Sequence, residues 1–136
     1  MSTLNFGLIL RLSLFGLAMA IATVFVIPSN IEPLFWLAIF VVCALLIARR
    51  CSEKHFLHGF LVSLVNCVWI TTFHILLFGS YLTRHPQEAA MMKSMPLPDS
   101  PRLMMLMTGP VVGVASGVVL GLFAFLASKL VKPSVA

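Results

Sequence analysis

Four histidines, three cysteines and four acids are the side chains of this 136-residue sequence best suited to hold a metal, move a proton or attack a bond. His55, His58, His74 and His85 all fall in one hydrophobic run or just beyond its ends. His58 and His74 lie about 24 Å apart along a helix, too far to share one metal. His55 and His58 can meet on one helix face, with only Cys51 and Glu53 nearby as further donors. A haem held by two histidines needs the second on a facing helix, and no other run supplies one. No metal and no cofactor is expected. Cys43, Cys51 and Cys67 are odd in number and form no CxxC pair, so no disulfide framework is implied.

Catalytic signatures are missing too: there is no glycine-rich phosphate loop, HExxH pair or GxSxG turn. His85, Glu88, Lys93, Asp99 and Arg102 share one polar segment. Charges of this kind ordinarily flank membrane spans, so they are expected to be interfacial. A lipid-directed enzyme would need them to converge beside a lipid-sized groove. An enzyme is not the expected reading.

A polar stripe carries more information. Gly59, Ser63, Asn66, Cys67 and His74 lie within an arc of roughly 100° at helical periodicity, with Thr71 beside it. An amide or imidazole is costly against lipid, so this arc is expected to face the interior of a bundle. It has two possible roles. One is interhelical hydrogen bonding, at about 0.6–2 kcal/mol per contact. The other is a polar route for a ligand or proton, lined by Asn66 and His74. No Asp, Glu or Lys accompanies His74 within the run, which weakens the proton-carrier version.

The elements that must position these groups follow from composition. The chain is 60% hydrophobic and 10% charged, with a mean hydropathy of +1.08. A soluble domain carries about 25% charged residues, so the excess apolar surface here must face lipid. Net charge is +5. The basic residues sit between and beyond apolar runs, without a basic surface interleaved with aromatics, so nucleic acid is not an expected partner.

Four runs approach or exceed the ~20 residues needed to cross a bilayer: about 8–27, 31–48, 56–81 and 101–131. Ala18-Met19-Ala20 looks like a signal-peptidase site. The apolar run nevertheless continues to Ile27, so a retained helix is expected. The 28–33 connection is short enough to make the first two helices an antiparallel hairpin. Residues 82–100 form an outer loop in which Pro86–Lys93 reads as a short helix lying on the membrane surface. Pro110 predicts a kink or break in the fourth run. Arg11, Arg49, Arg50, Lys54, Lys129 and Lys132 fall on one side, against Arg84, Lys93 and Arg102 on the other. The positive-inside rule then places the N-terminus, the 49–55 loop and the C-terminus in the cytoplasm. The expected fold is all-α: one domain, 1–136, forming a polytopic four-helix membrane bundle.

Gly109, Gly113, Gly117 and Gly121 repeat every fourth residue along the fourth run, with Ala115, Ser116 and Ala124 widening the small surface. Such a ridge lets another backbone approach closely, a main source of helix association in lipid. Spacing alone does not say whether that partner helix belongs to the same chain.

His58-Gly59-Phe60 opens the third span, a long extracytoplasmic loop follows, and Gly109-Pro110-Val111-Val112-Gly113 starts the last. In these features the second half of the chain resembles a broad group of small four-helix bacterial membrane proteins of unknown function. The resemblance implies no activity. The expected location is a bacterial inner membrane. The expected function is that of an interaction or structural subunit associating through the fourth helix, with lipid, itself or a larger membrane complex as partner. The alternative is a small carrier or channel using Asn66 and His74.

Overall fold

The computed structural model describes residues 3–134, which hold no strand. Six helices follow one another: α1 Phe6–Phe25, α2 Glu32–Arg50, α3 His55–Leu76, α4 Phe78–Arg84, α5 Pro86–Met92 and α6 Pro101–Leu130. Four of them, α1, α2, α3 and α6, are long and apolar enough to cross a membrane.

Local chemistry explains the helix ends. The Asn5 side chain accepts a 3.0 Å bond from the Leu8 amide and so caps α1. Prolines occupy the first turns of α2, α5 and α6, where their missing N–H costs nothing. Arg49 and Arg50 close α2, matching the negative end of its dipole.

Two elements differ from the periodicity of the sequence. The third run does not stay one helix to Tyr81. Leu77 leaves helical geometry (φ −106°, ψ 35°), so α3 ends at Leu76 and Tyr81 belongs to α4. This offset lets the Tyr81 ring lie back over His74, with centroids 4.0 Å apart. The fourth run, by contrast, continues as one 30-residue helix through Pro110. A proline removes a single ladder bond, and the packed helix tolerates that loss here.

The packing order is also distinct from the chain order. α3 lies at the centre, with its widest contact on α6 and its next widest on α1. α2 packs chiefly on α6 and touches α1 little, although a short connection reverses the chain between them. A short loop fixes only where two helices begin. Which faces meet is decided by small and complementary side chains. On α2 these are Cys43, Ala44, Ile47 and Ala48; on α6 they are Leu120, Ala124 and Ala127, all buried. Phe40 adds an edge-to-face contact with Phe123 at 6.3 Å.

The four glycines of α6 face α3 of the same chain. A Cβ built on Gly113 would lie 2.7 Å from Cys67 Cβ, one on Gly117 2.9 Å from the Phe60 ring, and one on Gly121 2.8 Å from the Phe56 ring. One on Gly109 would overlap the Thr71 hydroxyl. From the other side, a Cβ on Gly59 would meet the Leu120 carbonyl oxygen at 2.7 Å and Gly121 Cα at 2.9 Å. The ridge is thus occupied within the chain.

Antiparallel packing sorts the helix ends. The Ser134 amide donates to Arg49 O at 3.1 Å, and the Asn5 amide donates to His58 Nε2 at 3.0 Å. These bonds bring the start of α1, the end of α2, the start of α3 and the end of α6 together. Arg49, Arg50, Lys54 and Lys129 therefore share one end of the bundle. At the opposite end, Arg102 Nε donates to Ile75 O at 3.3 Å.

Candidate functional site

The polar stripe of α3 is divided between its two neighbours. Ser63 bonds Ser116 of α6 across 2.8 Å. Cys67 donates to the Gly109 carbonyl, also at 2.8 Å, and lies 3.7 Å from Thr71 Oγ1 on its own helix. Towards α1, Trp69 Nε1 donates to Ser13 Oγ at 3.4 Å, and His74 Nε2 lies 2.9 Å from Thr23 Oγ1. Ser63, Asn66 and His74 are buried, while Cys67 and Thr71 are half-buried. Thr23 was hidden to periodicity because a lone threonine in an apolar run is a common back-bonder. Its hydroxyl does lie near two carbonyls of its own helix, Met19 at 2.8 Å and Ala20 at 3.3 Å.

Asn66 stands apart. Its side chain lies against Gly16 of α1, where any Cβ would overlap the amide. It is 3% exposed, and neither its Oδ1 nor its Nδ2 has a hydrogen-bond partner. An amide in that condition is normally matched by a donor, an acceptor or a water.

A convergence of chemistry-bearing groups lies at the end away from the Arg49–Lys54 turn. The rings of His74, Tyr81 and His85 form a continuous stack, 4.0 Å and then 4.3 Å between centroids, nearly parallel at 25° and 20°. His74 is anchored below by Thr23. His85 is anchored above by its Nδ1, 3.0 Å from the Tyr81 carbonyl. Beyond His85 Nε2, Glu32 Oε2 approaches to 3.6 Å, while the other Glu32 oxygen accepts from Trp36 Nε1 at 3.2 Å. Glu88 of α5 joins from the side, held by the Ser29 hydroxyl at 2.9 Å. Burial, then Glu88, then Glu32 push the Tyr81 phenol above its ordinary range, so it stays protonated.

Spacing in the sequence places His85 and Glu88 among interfacial charges. His85 is instead fully buried. The i,i+4 spacing of Tyr81 and His85 was the available signal. It was obscured because the break at Leu77 starts a new helix in a different register. Lys93 and Asp99 are exposed, and Arg102 lies over the Phe78 ring at 5.0 Å.

At the basic end His58 uses both ring nitrogens, accepting from Asn5 and donating from Nδ1 to Lys54 O at 2.8 Å. His55 Nε2 lies 3.0 Å from Cys51 O. Among the described residues no three His, Cys, Asp or Glu side chains are grouped to hold a metal. Burial raises the pKa of the Cys51 thiol and lowers its nucleophilicity.

Thr23→Val is expected to remove the hydrogen bond that ties His74 to α1 while keeping the side-chain volume. The stranded ring nitrogen should cost about 1–3 kcal/mol, read as a lower midpoint in thermal unfolding of the detergent-solubilised chain. The paired change Thr23→Val with His74→Phe should recover most of that loss. The chain matches no family model, no curated protein and no solved structure.

Proposed function

We propose that this chain is an integral membrane interaction subunit of a bacterial inner membrane, with both termini and the 49–55 loop on the cytoplasmic face. The 2.9 Å contact between His74 and Thr23 carries the reading. His74, buried in the last turn of α3, is bonded to a neighbouring helix, as a packing role requires. The other stripe bonds, Ser63 to Ser116 and Cys67 to Gly109, act in the same way. They make a cross-linked unit whose outward faces on α2 and α6 are wholly apolar in the middle of each helix. Leu37 and Val41 on α2, and Val112 and Val119 on α6, are all exposed. The gathering of Arg49, Arg50, Lys54 and Lys129 supports the orientation through the positive-inside rule. On the same assignment α5 lies at the outer surface.

A photo-reactive amino acid at these four positions in living membranes tests the proposal. One helix face should yield a discrete adduct to a single protein, identified by mass spectrometry as a second copy or a defined partner. A carrier with a route past Asn66 is favoured by one observation, the unpartnered amide. Lipid-only adducts at all four positions, with proton or ion flux into proteoliposomes that Asn66→Ala abolishes, would replace the interaction reading by that one.

A further inference from the structure

We propose that His85 and Glu32 form a proton-operated clasp fastening the α4–α5 segment to the start of α2. The proposal stands independently of the interaction-subunit reading. His85 Nδ1 faces the Tyr81 carbonyl at 3.0 Å, and a carbonyl only accepts, so Nδ1 carries hydrogen. Nε2 then holds either a bare lone pair or a second hydrogen. It is buried, has no hydrogen-bond partner and points toward Glu32 Oε2 at 3.6 Å. In the neutral ring a lone pair confronts a carboxylate. In the imidazolium an N–H confronts it, and a closure of roughly 0.8 Å makes a charge-assisted bond.

Every neighbouring element bears on this proton. On α2, Glu32 is fixed by Trp36. On α5, Glu88 supplies a second carboxylate near Tyr81, held by Ser29 of the α1–α2 connection. On α4, Tyr81 offers its ring face to the charge on His85 at 4.3 Å, a favourable cation–π arrangement. A second imidazole, His74 of α3, lies on the far face of Tyr81, bonded to Thr23 of α1. Arg102 of α6 is engaged elsewhere, with Ile75 O and the Phe78 ring.

The closed clasp binds one proton more than the open one, so acidification from neutrality favours closure. Closure is lost on the alkaline side when the imidazole gives up its second proton, and on the acid side when the Glu32 carboxylate takes one up. Between these limits α4 and α5 are held on α2.

Trp36, bonded to Glu32, is a built-in reporter. In the full chain carrying Trp69→Phe, in lipid nanodiscs, Trp36 fluorescence should show a transition between pH 5 and about 8. Adding His85→Gln or Glu32→Gln should abolish it, and adding His74→Gln should leave it in place. Hydrogen exchange of peptides spanning 78–92 in the unsubstituted chain should be several-fold slower at about pH 5.5 than at about pH 7.5, after correction for intrinsic rates. A transition that survives His85→Gln overturns the clasp. If a substituted chain fails to fold, the exchange comparison decides alone, and equal protection at both pH values overturns it.

Discussion

Gly59→Val is expected to disrupt the contact between α3 and α6 and to lower stability severely. The added atoms meet backbone, namely Leu120 O at 2.7 Å and Gly121 Cα at 2.9 Å. A flexible ring such as Phe60 beside Gly117 can rotate away, but a helix backbone can yield only by moving the whole helix, and the Phe56 carbonyl oxygen 2.9 Å from a Cβ on Gly121 sets the same constraint from the other side of the seam. Overpacking of a core typically costs 1–3 kcal/mol, so about 3 kcal/mol or more is expected where backbone must shift. The readout is thermal unfolding in mild detergent together with monodispersity on size exclusion. Gly79→Ala is the control, because nothing lies within 4 Å of the Cβ position there. An unchanged midpoint for Gly59→Val would mean that the α3–α6 contact is not the principal seam of the bundle.

Asn66→Leu is expected to raise stability. The amide is 3% exposed and both of its polar atoms lack partners, a state that costs about 1–3 kcal/mol through lost solvation. Leucine has nearly the same shape, and Gly16 opposite has no side chain to obstruct it. A gain of about 1–2 kcal/mol is therefore the expected result, measured by the same unfolding assay. A loss of stability would reveal that Asn66 holds a partner in the membrane, either a water or a bound solute. Together with Asn66-dependent flux, that loss would favour the carrier reading over the interaction subunit. The same residue thus separates the two proposals by the sign of one measurement.

Much of the architecture was legible because hydrophobic length and helix-end chemistry are local. The prolines at the starts of α2, α5 and α6 and the Arg49-Arg50 stop fix helix ends within a few residues of the chain, whereas the Asn5 cap of α1 emerged only in the fold. The polar arc of α3 was also readable, since 3.6-residue periodicity determines which side chains share a face. His85 was not. A histidine in a polar segment resembles surface charge until the chain bends at Leu77 and inserts its ring between Tyr81 and Glu32. Thr23 was missed for a related reason: its role depends on a partner 51 residues away.

By itself, then, the sequence determined the all-helical class, four helices long and apolar enough to cross a membrane, and a glycine ridge needing a close neighbour. Each rests on spacing along a single segment. Only the tertiary structure decided that α3 covers that ridge, that α2 packs on α6 instead of α1, and that Thr23, His74, Tyr81, His85 and Glu32 form one stacked and bonded series. Those outcomes depend on which helix faces fit together. That fit is a property of pairs of segments, and no single segment encodes it.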